Sequence, residues 1–434
     1  MLELFKQNID RQHLFSQEQE VLLAVSGGRD SVAMADLMQR AGYRFAVAHC
    51  NFHLRPGDCD RDQLFVRQLA EQYGVPFYTM DFDTNSYATA HGYSIEEAAR
   101  RLRYEWFAAL CREHGFACVA TAHHRDDSIE TFFLNLFRGT GIAGLHGIRS
   151  RSEGVVRPML CFSRSDIDRY IAERGLAYVE DSTNALLDAR RNRIRLQLMP
   201  LLRELYPSVD ATMQANIERL SDTEQVYRAY IDTLRQSLVQ PYRPMLATVT
   251  FPIVSIACDA IAELDPQRTL LYELLAPYGF NAATIEDILQ AIDSKPGGQL
   301  FYSPTHVAEL HRGQLLVAPQ VQPVEPKLEI VPVSEVDMAT LGQAAIAVDA
   351  AVASRPFSLR PWQEGDRFRP FGMKGMKLVS DFLKDSGMPI IERRHVYVML
   401  DVNGMIVWLV GFRVDDRSRL TTSTSEVLRI SIAL

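Results

Sequence analysis

Apolar runs of strand length alternate with helical patterns through the first third of the chain. The runs are Val21–Val25, Phe45–His49, Pro76–Met80 and Ala117–Ala122, and the helical stretches between them are Ser31–Arg40, Arg61–Tyr73 and Ser94–His114. A helix between two strands carries the chain back across the sheet, so that successive strands run parallel. The pattern therefore predicts an α/β domain whose ligand site lies at the carboxyl ends of the strands.

The turn after the first of these strands has the composition of an anion site. It reads Ser26-Gly27-Gly28-Arg29-Asp30-Ser31, and a small turn before a helix lets backbone N–H groups converge on a phosphate. A carboxylate and a phosphate repel each other, so their proximity is explained if both bind a shared magnesium ion. The position of Asp30 therefore predicts a magnesium site. The alternative is an ordinary polar turn. Because no G-x-x-x-x-G-K-[ST] motif occurs, a P-loop NTPase is not expected.

A second polar segment, Ala122–Thr131, follows the fourth predicted strand and opens a helix. On a helix Asp127 and Glu130 share a face, where paired carboxylates suit magnesium or the ammonium group of a substrate. A zinc site that includes His123 and His124 and a solvated charged turn are the alternatives. His49 also ends a strand, and three polar clusters at strand ends predict one site.

Charge and cysteine content limit the class of protein. The 434 residues carry a net charge of −8, and none of the six cysteines forms a C-x-x-C pair, which counts against a zinc ribbon and a disulfide scaffold. An acidic chain is not a general nucleic-acid binder, but Leu187–Arg203 and Arg360–Arg394 are locally basic and can engage phosphates. Since no membrane span or signal peptide is visible, a cytoplasmic protein is expected.

The rest of the chain predicts two further domains. Residues 204–326 are read as helical, with helices over Pro207–Leu238 and Asp265–Ile292. The proline-bearing stretch Pro319–Pro332 reads as a linker. Beyond it, strands are expected at Ile346–Val352, Val396–Val402, Met405–Val410 and Val427–Ile432, with Asn403-Gly404 as a hairpin turn.

Ordered motifs resemble a known family. The Ser26–Ser31 turn resembles the S-G-G-x-D-S loop of the ATP pyrophosphatases, and Ala122–Thr131 resembles the A-H-H-x-D-D-x-x-E-T signature of the tRNA(Ile)-lysidine synthetase family. Other similar blocks are Ala99–Tyr104, Arg138–Leu145, Asp181–Asn184 with Arg191–Arg195, Gly365–Phe368 and Lys374–Lys377. The family commonly has H-x-x-H-G-L-R after its second strand. Here His49 and Arg55 match, whereas Phe52 and His53 replace the second histidine and the glycine.

The resemblance implies a fold and a reaction. The fold is a Rossmann-like parallel sheet of the adenine nucleotide alpha-hydrolase type (residues 1–203), then the helical middle domain (204–326) and a small α+β domain that grips tRNA (327–434). The reaction joins L-lysine to the wobble cytidine of tRNA(Ile) with a CAU anticodon, through an ATP-derived adenylate. Magnesium is the implied metal, and a homodimer through the middle segment is left open.

The resemblance also implies residue roles. ATP is bound by residues 26–31 and His49. The catalytic residues are Asp30, Arg100, Arg103, His123, Asp127 and Glu130. Lysine is bound by Asp127 and Glu130, and magnesium by Asp30 and Asp127. Arg191, Arg193, Arg195, Arg367, Lys374 and Lys377 bind tRNA. Whether Asp127 serves metal or lysine, and whether His123 or His124 accepts the lysine proton, stays open. Another adenylating enzyme such as a tRNA thiolase, and a non-catalytic nucleotide-binding regulator, are the rival hypotheses.

Overall fold

The computed structural model describes residues 1–53, 58–179, 189–294, 297–334, 341–353 and 355–433. The chain divides into two compact units, Met1–Tyr227 and Arg228–Leu434. Within the described residues, no helix is both long enough and apolar enough to cross a bilayer.

The first unit is a six-stranded sheet covered by helices. Its strands are β1 (Glu20–Ala24), β2 (Arg44–Asn51), β3 (Phe77–Asp81), β4 (Cys118–Ala120), β5 (Arg151–Ser152) and β6 (Val155–Val156), in the spatial order β3-β2-β1-β4-β6-β5. All neighbours are parallel except β5, which is antiparallel to β6. The predicted α/β fold class is therefore confirmed.

Nine helices belong to the described part of this unit, and a tenth, α10, begins in it and continues into the second unit. They are α1 (Leu2–Arg11), α2 (Arg29–Ala41), α3 (Asp58–Tyr73), α4 (Thr84–His91), α5 (Ile95–His114), α6 (Arg125–Arg138), α7 (Arg164–Arg174), α8 (Ala189–Arg193), α9 (Met199–Leu205) and α10 (Val209–Leu238). A π-helical turn, Ile194–Leu198, joins α8 to α9, and a 3₁₀ turn, Ile142–Gly144, follows α6.

Side-chain alternation along β1 builds two core layers. Val21 and Leu23 pack into a cluster with α1, α2 and α7, whereas Leu22 packs into another cluster with Phe107 and Leu110 of α5. Because successive strand residues point to opposite faces, a sheet with both faces covered needs a continuous apolar run. This requirement is why the strand was visible in the sequence.

Capping residues set the ends of the helices that carry the predicted motifs. Ser94 precedes α5, and its side-chain oxygen accepts the Glu97 N–H at 3.2 Å. Gly115, with φ of 75°, ends α5 in the left-handed conformation that glycine adopts most easily. The four predicted strands and three predicted helices of this unit are confirmed with small shifts at their ends. The short β5 and β6 were not predicted, because two-residue strands give no periodic signal. The helices α1, α4, α7, α8 and α9 were not predicted either.

The second unit contains antiparallel sheets and short helices. The first sheet has the order β7-β8-β11-β10-β9 and comprises β7 (Gln240–Tyr242), β8 (Ile253–Ala257), β9 (Leu300–Tyr302), β10 (His306–His311) and β11 (Gln314–Pro319). The helices in this stretch are α11 (Cys258–Ala262), α12 (Gln267–Leu275) and α13 (Ala282–Ser294), with a 3₁₀ turn at Ala276–Tyr278.

The sheet corrects the expectation of a purely helical middle segment. The predicted long helices are present as α10, α12 and α13. The β10 and β11 strands were overlooked since their central residues are buried in succession. A buried run without alternation does not distinguish a strand from a helix.

Three further sheets complete the unit. One sheet comprises β12 (Leu328–Val333), β13 (Ala345–Asp349) and β20 (Val427–Ile432). Another comprises β14 (Ser358–Pro361), β17 (Tyr397–Leu400), β18 (Ile406–Leu409) and β19 (Arg413–Val414). The last pairs β15 (Arg367–Phe368) with β16 (Lys377–Leu378). The helices are α14 (Val379–Asp385) and α15 (Ile390–Arg393), with a 3₁₀ turn at Asp416–Ser418. The expected hairpin at Asn403-Gly404 is confirmed by the antiparallel pairing of β17 with β18. The predicted linker overlaps β12, whose Pro332 lies within the strand.

A buried carboxylate joins the five-stranded sheet to α15. Glu309 of β10 is 1% exposed, and its Oε1 and Oε2 accept the N–H groups of Ile390 and Ile391, each at 2.9 Å. These N–H groups begin a helix and have no partner within it. Glu309 is therefore a structural cap of the second unit.

Replacement of this cap is expected to destabilise the second unit. Glu309→Gln substitutes an amide NH2 for one acceptor and leaves one helix N–H without a partner, at a cost of about 1–3 kcal/mol. Urea unfolding followed by circular dichroism measures the loss. The matched control is Glu329→Gln on the exposed side of β12, and equal stability of the two variants would contradict the capping role.

Candidate active site

The Ser26–Ser31 turn lies between β1 and α2, as predicted. The Ser31 hydroxyl donates to the Gly28 carbonyl oxygen at 2.8 Å and lies 3.3 Å from the Ser26 hydroxyl. Because α2 begins at Arg29, its first N–H groups have no intrahelical partner and carry the positive end of the helix dipole. The turn therefore offers hydroxyl and backbone donors to an anion.

The segment after α7 holds this turn closed. Gly27 has a φ of +90°, a conformation that side-chain-bearing residues rarely adopt, and its carbonyl oxygen accepts the Val179 N–H at 3.0 Å. Arg29 Nη1 donates to Asp168 Oδ1 at 2.6 Å, and its guanidinium lies 4.9 Å from the centre of the Tyr178 ring. Arg29 thus anchors the loop to α7, and its charge is already paired.

Asp30 is the carboxylate closest to the turn. Its Oδ1 accepts a hydrogen bond from Arg164 Nη1, and its Oδ2 lies 4.0 Å from His124 Nε2. Burial raises the pKa of Asp30 above its usual value, although the charges of Arg164 and His124 oppose the rise. Arg164 is the first residue of α7, and the sequence analysis missed it. The S-x-x-D capping box Ser163–Asp166 is the signal that could have located it.

The start of α6 places two further predicted residues beside Asp30. His124 is 2% exposed, and its backbone N–H donates to Asp127 Oδ2 at 3.0 Å. The same Asp127 oxygen lies 3.5 Å from His124 Nε2, so Asp30 and Asp127 flank one imidazole nitrogen. Burial acts to raise the pKa of Asp127, but His124, Arg191 and His123 outweigh it and hold that pKa below its usual value.

Glu130 lies one turn further along α6 and is almost fully buried. Arg191 Nε donates to its Oε2 at 2.7 Å and Arg195 Nε to its Oε1 at 2.6 Å. Arg191 Nη2 also donates to Asp127 Oδ1 at 3.0 Å. Two of the four arginines expected to bind tRNA, Arg191 and Arg195, thus lie on the site carboxylates, whereas Arg193 is exposed.

Two histidines line the site in a neutral form. His49 Nδ1 donates to the Val25 carbonyl oxygen at 2.9 Å, which leaves Nε2 as an acceptor, and burial lowers the pKa of His49. His123 Nδ1 lies 2.9 Å from Thr121 Oγ1, and burial lowers the pKa of His123 to about 4. Both imidazoles can accept a proton at neutral pH.

The two predicted arginines of α5 have different surroundings. Arg103 is half-buried, and its charge acts on both His49 and His123. Arg100 is exposed and lies over the Tyr104 ring at 5.1 Å. Arg103 therefore belongs to the site, whereas Arg100 lies on the surface of α5.

The remaining predicted residues lie elsewhere. Arg367, Lys374 and Lys377 belong to the second unit, where Arg367 and Lys374 are exposed and Lys377 Nζ lies 2.5 Å from Asp385 Oδ2. Asp181–Asn184 and Arg55 lie outside the described residues.

The donor set agrees with a hard divalent cation. Asp30 and Asp127 present carboxylate oxygens on either side of His124, next to a phosphate-type turn. Magnesium in nucleotide sites takes one or two carboxylates and completes its shell with phosphate oxygens and water. Among the described residues, no group of three or more His, Cys, Asp or Glu side chains forms a metal cluster.

Three family profiles match successive parts of the chain. A PP-loop domain matches residues 1–202, the TilS substrate binding domain matches 252–320, and the TilS substrate C-terminal domain matches 357–432. The tRNA(Ile)-lysidine synthase of Parabacteroides distasonis is 39% identical with 99% of each chain covered. That of Bacteroides thetaiotaomicron is 37% identical with 97% of each chain covered. The chain belongs to the tRNA(Ile)-lysidine synthase family.

Membership confirms the resemblance found in the sequence motifs. A PP-loop protein of this family is an ATP-dependent ligase, which disfavours the non-catalytic regulator. The thiolase alternative is less supported, because two of the three profiles describe lysidine synthase domains.

The lowered pKa of His123 predicts a pH dependence of stability. The folded state releases this proton near pH 4 and the unfolded chain near 6.5. Between these values the unfolded chain binds more protons, so the free energy of unfolding rises with pH over this window and falls on acidification. His123→Gln is expected to remove about 2–3 kcal/mol of that rise.

Chemical unfolding at several pH values between 4 and 7 measures this effect. The control is His91→Gln, at the exposed end of α4, which is expected to keep the parental slope. A His123→Gln variant with an unchanged slope would contradict the assignment of a buried neutral imidazole.

Proposed function

We propose that this chain joins L-lysine to C2 of the wobble cytidine in the CAU anticodon of tRNA(Ile), with ATP converted to AMP and pyrophosphate. The product, lysidine, changes codon recognition from AUG to AUA and tRNA identity from Met to Ile. The observation that carries the proposal is the convergence of Asp30, His124 and Asp127 beside the Ser26–Ser31 turn. It is supported by similarity to lysidine synthases along the whole chain.

The first step activates cytidine. The O2 atom of cytosine is a poor leaving group, so O2 first attacks the α-phosphorus of ATP. The bond from that phosphorus to pyrophosphate breaks, and the cytidine becomes an O2-adenylate. The turn binds the β and γ phosphates through hydroxyl and backbone N–H groups, and His49 lies beside it. Arg103 contributes positive charge where negative charge develops on the phosphates.

Asp30 and Asp127 are the residues that would hold magnesium. When bound, the ion neutralises charge on the departing pyrophosphate. Their present cationic neighbours are Arg164 for Asp30 and Arg191 for Asp127. These arginines keep the two carboxylates from repelling each other.

The second step attaches lysine. Its ammonium group is recognised by Asp127 or Glu130 and loses a proton before the amine attacks C2. The C2–O2 bond then breaks, and AMP leaves with that oxygen. Because three N–H groups of Arg191 and Arg195 already bond Glu130, an ammonium there requires an arginine to move, whereas Asp127 is more exposed. His123, neutral at pH 7, is a candidate to accept the proton.

Recognition of tRNA is assigned to local basic patches. Arg193 on α8 and Arg367 and Lys374 in the second unit are exposed and can contact phosphates. We retain the division into a catalytic domain (1–203), a middle domain (204–326) and a tRNA-binding C-terminal domain (327–434). The cytoplasm, where tRNA is modified, is the proposed location.

Removal of the Asp30 charge tests the catalytic site. Asp30→Asn is expected to abolish ATP-dependent incorporation of radiolabelled lysine into tRNA, since the amide neither balances Arg164 nor binds magnesium strongly. The control is Asp10→Asn on the exposed face of α1. Full activity of a folded Asp30→Asn variant would exclude the assignment, and transfer of sulfur instead of lysine by the parent would favour a thiolase.

The C-terminal patch is tested by charge reversal. Lys374→Glu with Lys377→Glu is expected to weaken tRNA binding and to lower the slope of log K against log salt by about one to two. Filter binding at several salt concentrations measures both quantities. Lys327→Glu, an exposed lysine of the same unit, is the control. Identical affinity at every salt concentration would refute a phosphate contact at this patch.

A further inference from the structure

The departure from the family motif after β2 creates an aromatic contact with Arg103. Phe52 stacks on Phe82 with ring centres 5.4 Å apart and an interplanar angle of 20°. The Arg103 guanidinium carbon lies 5.2 Å from the centre of the Phe52 ring. A cation at this distance from an aromatic ring is attracted by the electron density of the ring face.

The neighbouring residue explains how the chain accommodates this departure. His53 has a φ of +49°, in the left-handed region that favours glycine, the residue expected at this position. Its backbone N–H donates to Asn51 Oδ1 at 3.1 Å, and its Nε2 lies 2.8 Å from Asp81 Oδ1. These two contacts stabilise the strained backbone conformation of His53, the residue after Phe52.

Arg103 differs from the other arginines of the site in how its charge is compensated. Arg164, Arg191 and Arg195 each contact a carboxylate. Among the residues that the structure describes, Arg103 forms no ion pair. It lies on the Phe52 ring, and its charge acts on the Cys50 thiol. Burial raises the pKa of that thiol to about 12, so the thiol carries no charge at neutral pH.

A neutral ring orients a guanidinium without cancelling its charge. A carboxylate in the same place would hold Arg103 equally well but would neutralise its field at His49, His123 and the adjoining turn. The full positive charge therefore stays available to an anion that enters the site. The Ser26–Ser31 turn adjoins His49, because His49 Nδ1 donates to the carbonyl oxygen of Val25, the residue before the turn.

We propose that Phe52 is a positioning residue that holds Arg103 ready to bind a phosphate group of ATP. This inference rests on the proposed function, because that function supplies the nucleotide. Phe52 acts through Arg103 and does not itself touch the substrate. The Phe82 ring stacks on the Phe52 ring and restricts its movement.

The test compares variants that keep or remove the ring. Phe52→Leu retains an apolar side chain but no π face, and ATP affinity and kcat/KM for ATP are expected to fall roughly 3- to 30-fold. KM for lysine is expected to stay unchanged. Phe52→Tyr retains the ring and is expected to restore both ATP parameters to within about twofold of the parent. ATP affinity is measured by calorimetry without tRNA, and thermal unfolding confirms that each variant is folded.

Helix α5 offers a matched control. Arg101 lies 4.4 Å from the Tyr93 ring centre but is also ion-paired with Glu97 at 3.0 Å. Tyr93→Leu therefore removes a comparable ring contact from an arginine outside the site, and it is expected to leave ATP affinity unchanged.

Two results would overturn the inference. One is a folded Phe52→Leu variant whose ATP affinity equals that of the parent, and the other is a Phe52→Tyr variant as weak as Phe52→Leu. Failure of the parent to attach lysine would overturn the proposed function instead, because ATP affinity is compared without tRNA or lysine.

Discussion

The charge balance around three carboxylates governs the carboxyl edge of the sheet; Glu130 is buried, and Asp30 and Asp127 are partly buried. Asp30, Asp127 and Glu130 come from two helices, and a buried carboxylate without a partner is strongly unfavourable. Arg164, Arg191 and Arg195 supply the compensating charge. Since each ion pair joins α7 or the α8 region to α2 or α6, the site holds together only when all these segments are in place. Removing one partner leaves the other buried and unpaired, which costs more than the pair contributes.

The same balance separates two kinds of arginine. The arginines that pair with carboxylates have their charge neutralised, and they serve first to stabilise the site. Arg191, which the sequence analysis assigned to tRNA, is one of them. Arg103 lies on a phenylalanine ring and keeps its charge. The difference has a physical consequence for catalysis, because only an uncompensated cation adds to the attraction of phosphate oxygens in a partly dry site.

Much of the first unit could be predicted because its signals are local. The β1 run, the Ser26–Ser31 turn and the helical stretch Ser94–His114 are each recognisable from neighbouring residues, and the structure has them where expected. The short β5 and β6 gave no such signal, since two residues cannot show a period. In the second unit β10 and β11 were overlooked because burial of consecutive residues removes the alternation that marks a strand.

By itself the sequence determined the α/β alternation, the anion-binding turn and the spacing of Asp127 and Glu130 on one helix face, since these follow from backbone periodicity and residue type. Only the tertiary structure decided which cation meets which anion. Glu130 pairs with Arg191 and Arg195, more than sixty residues away, and Asp30 pairs with Arg164 of α7. An arginine carries no local signal of its partner, because the pairing depends on which helices the sheet brings side by side. The same reason hid the contact between Phe52 and Arg103, although both residues were visible in the motifs.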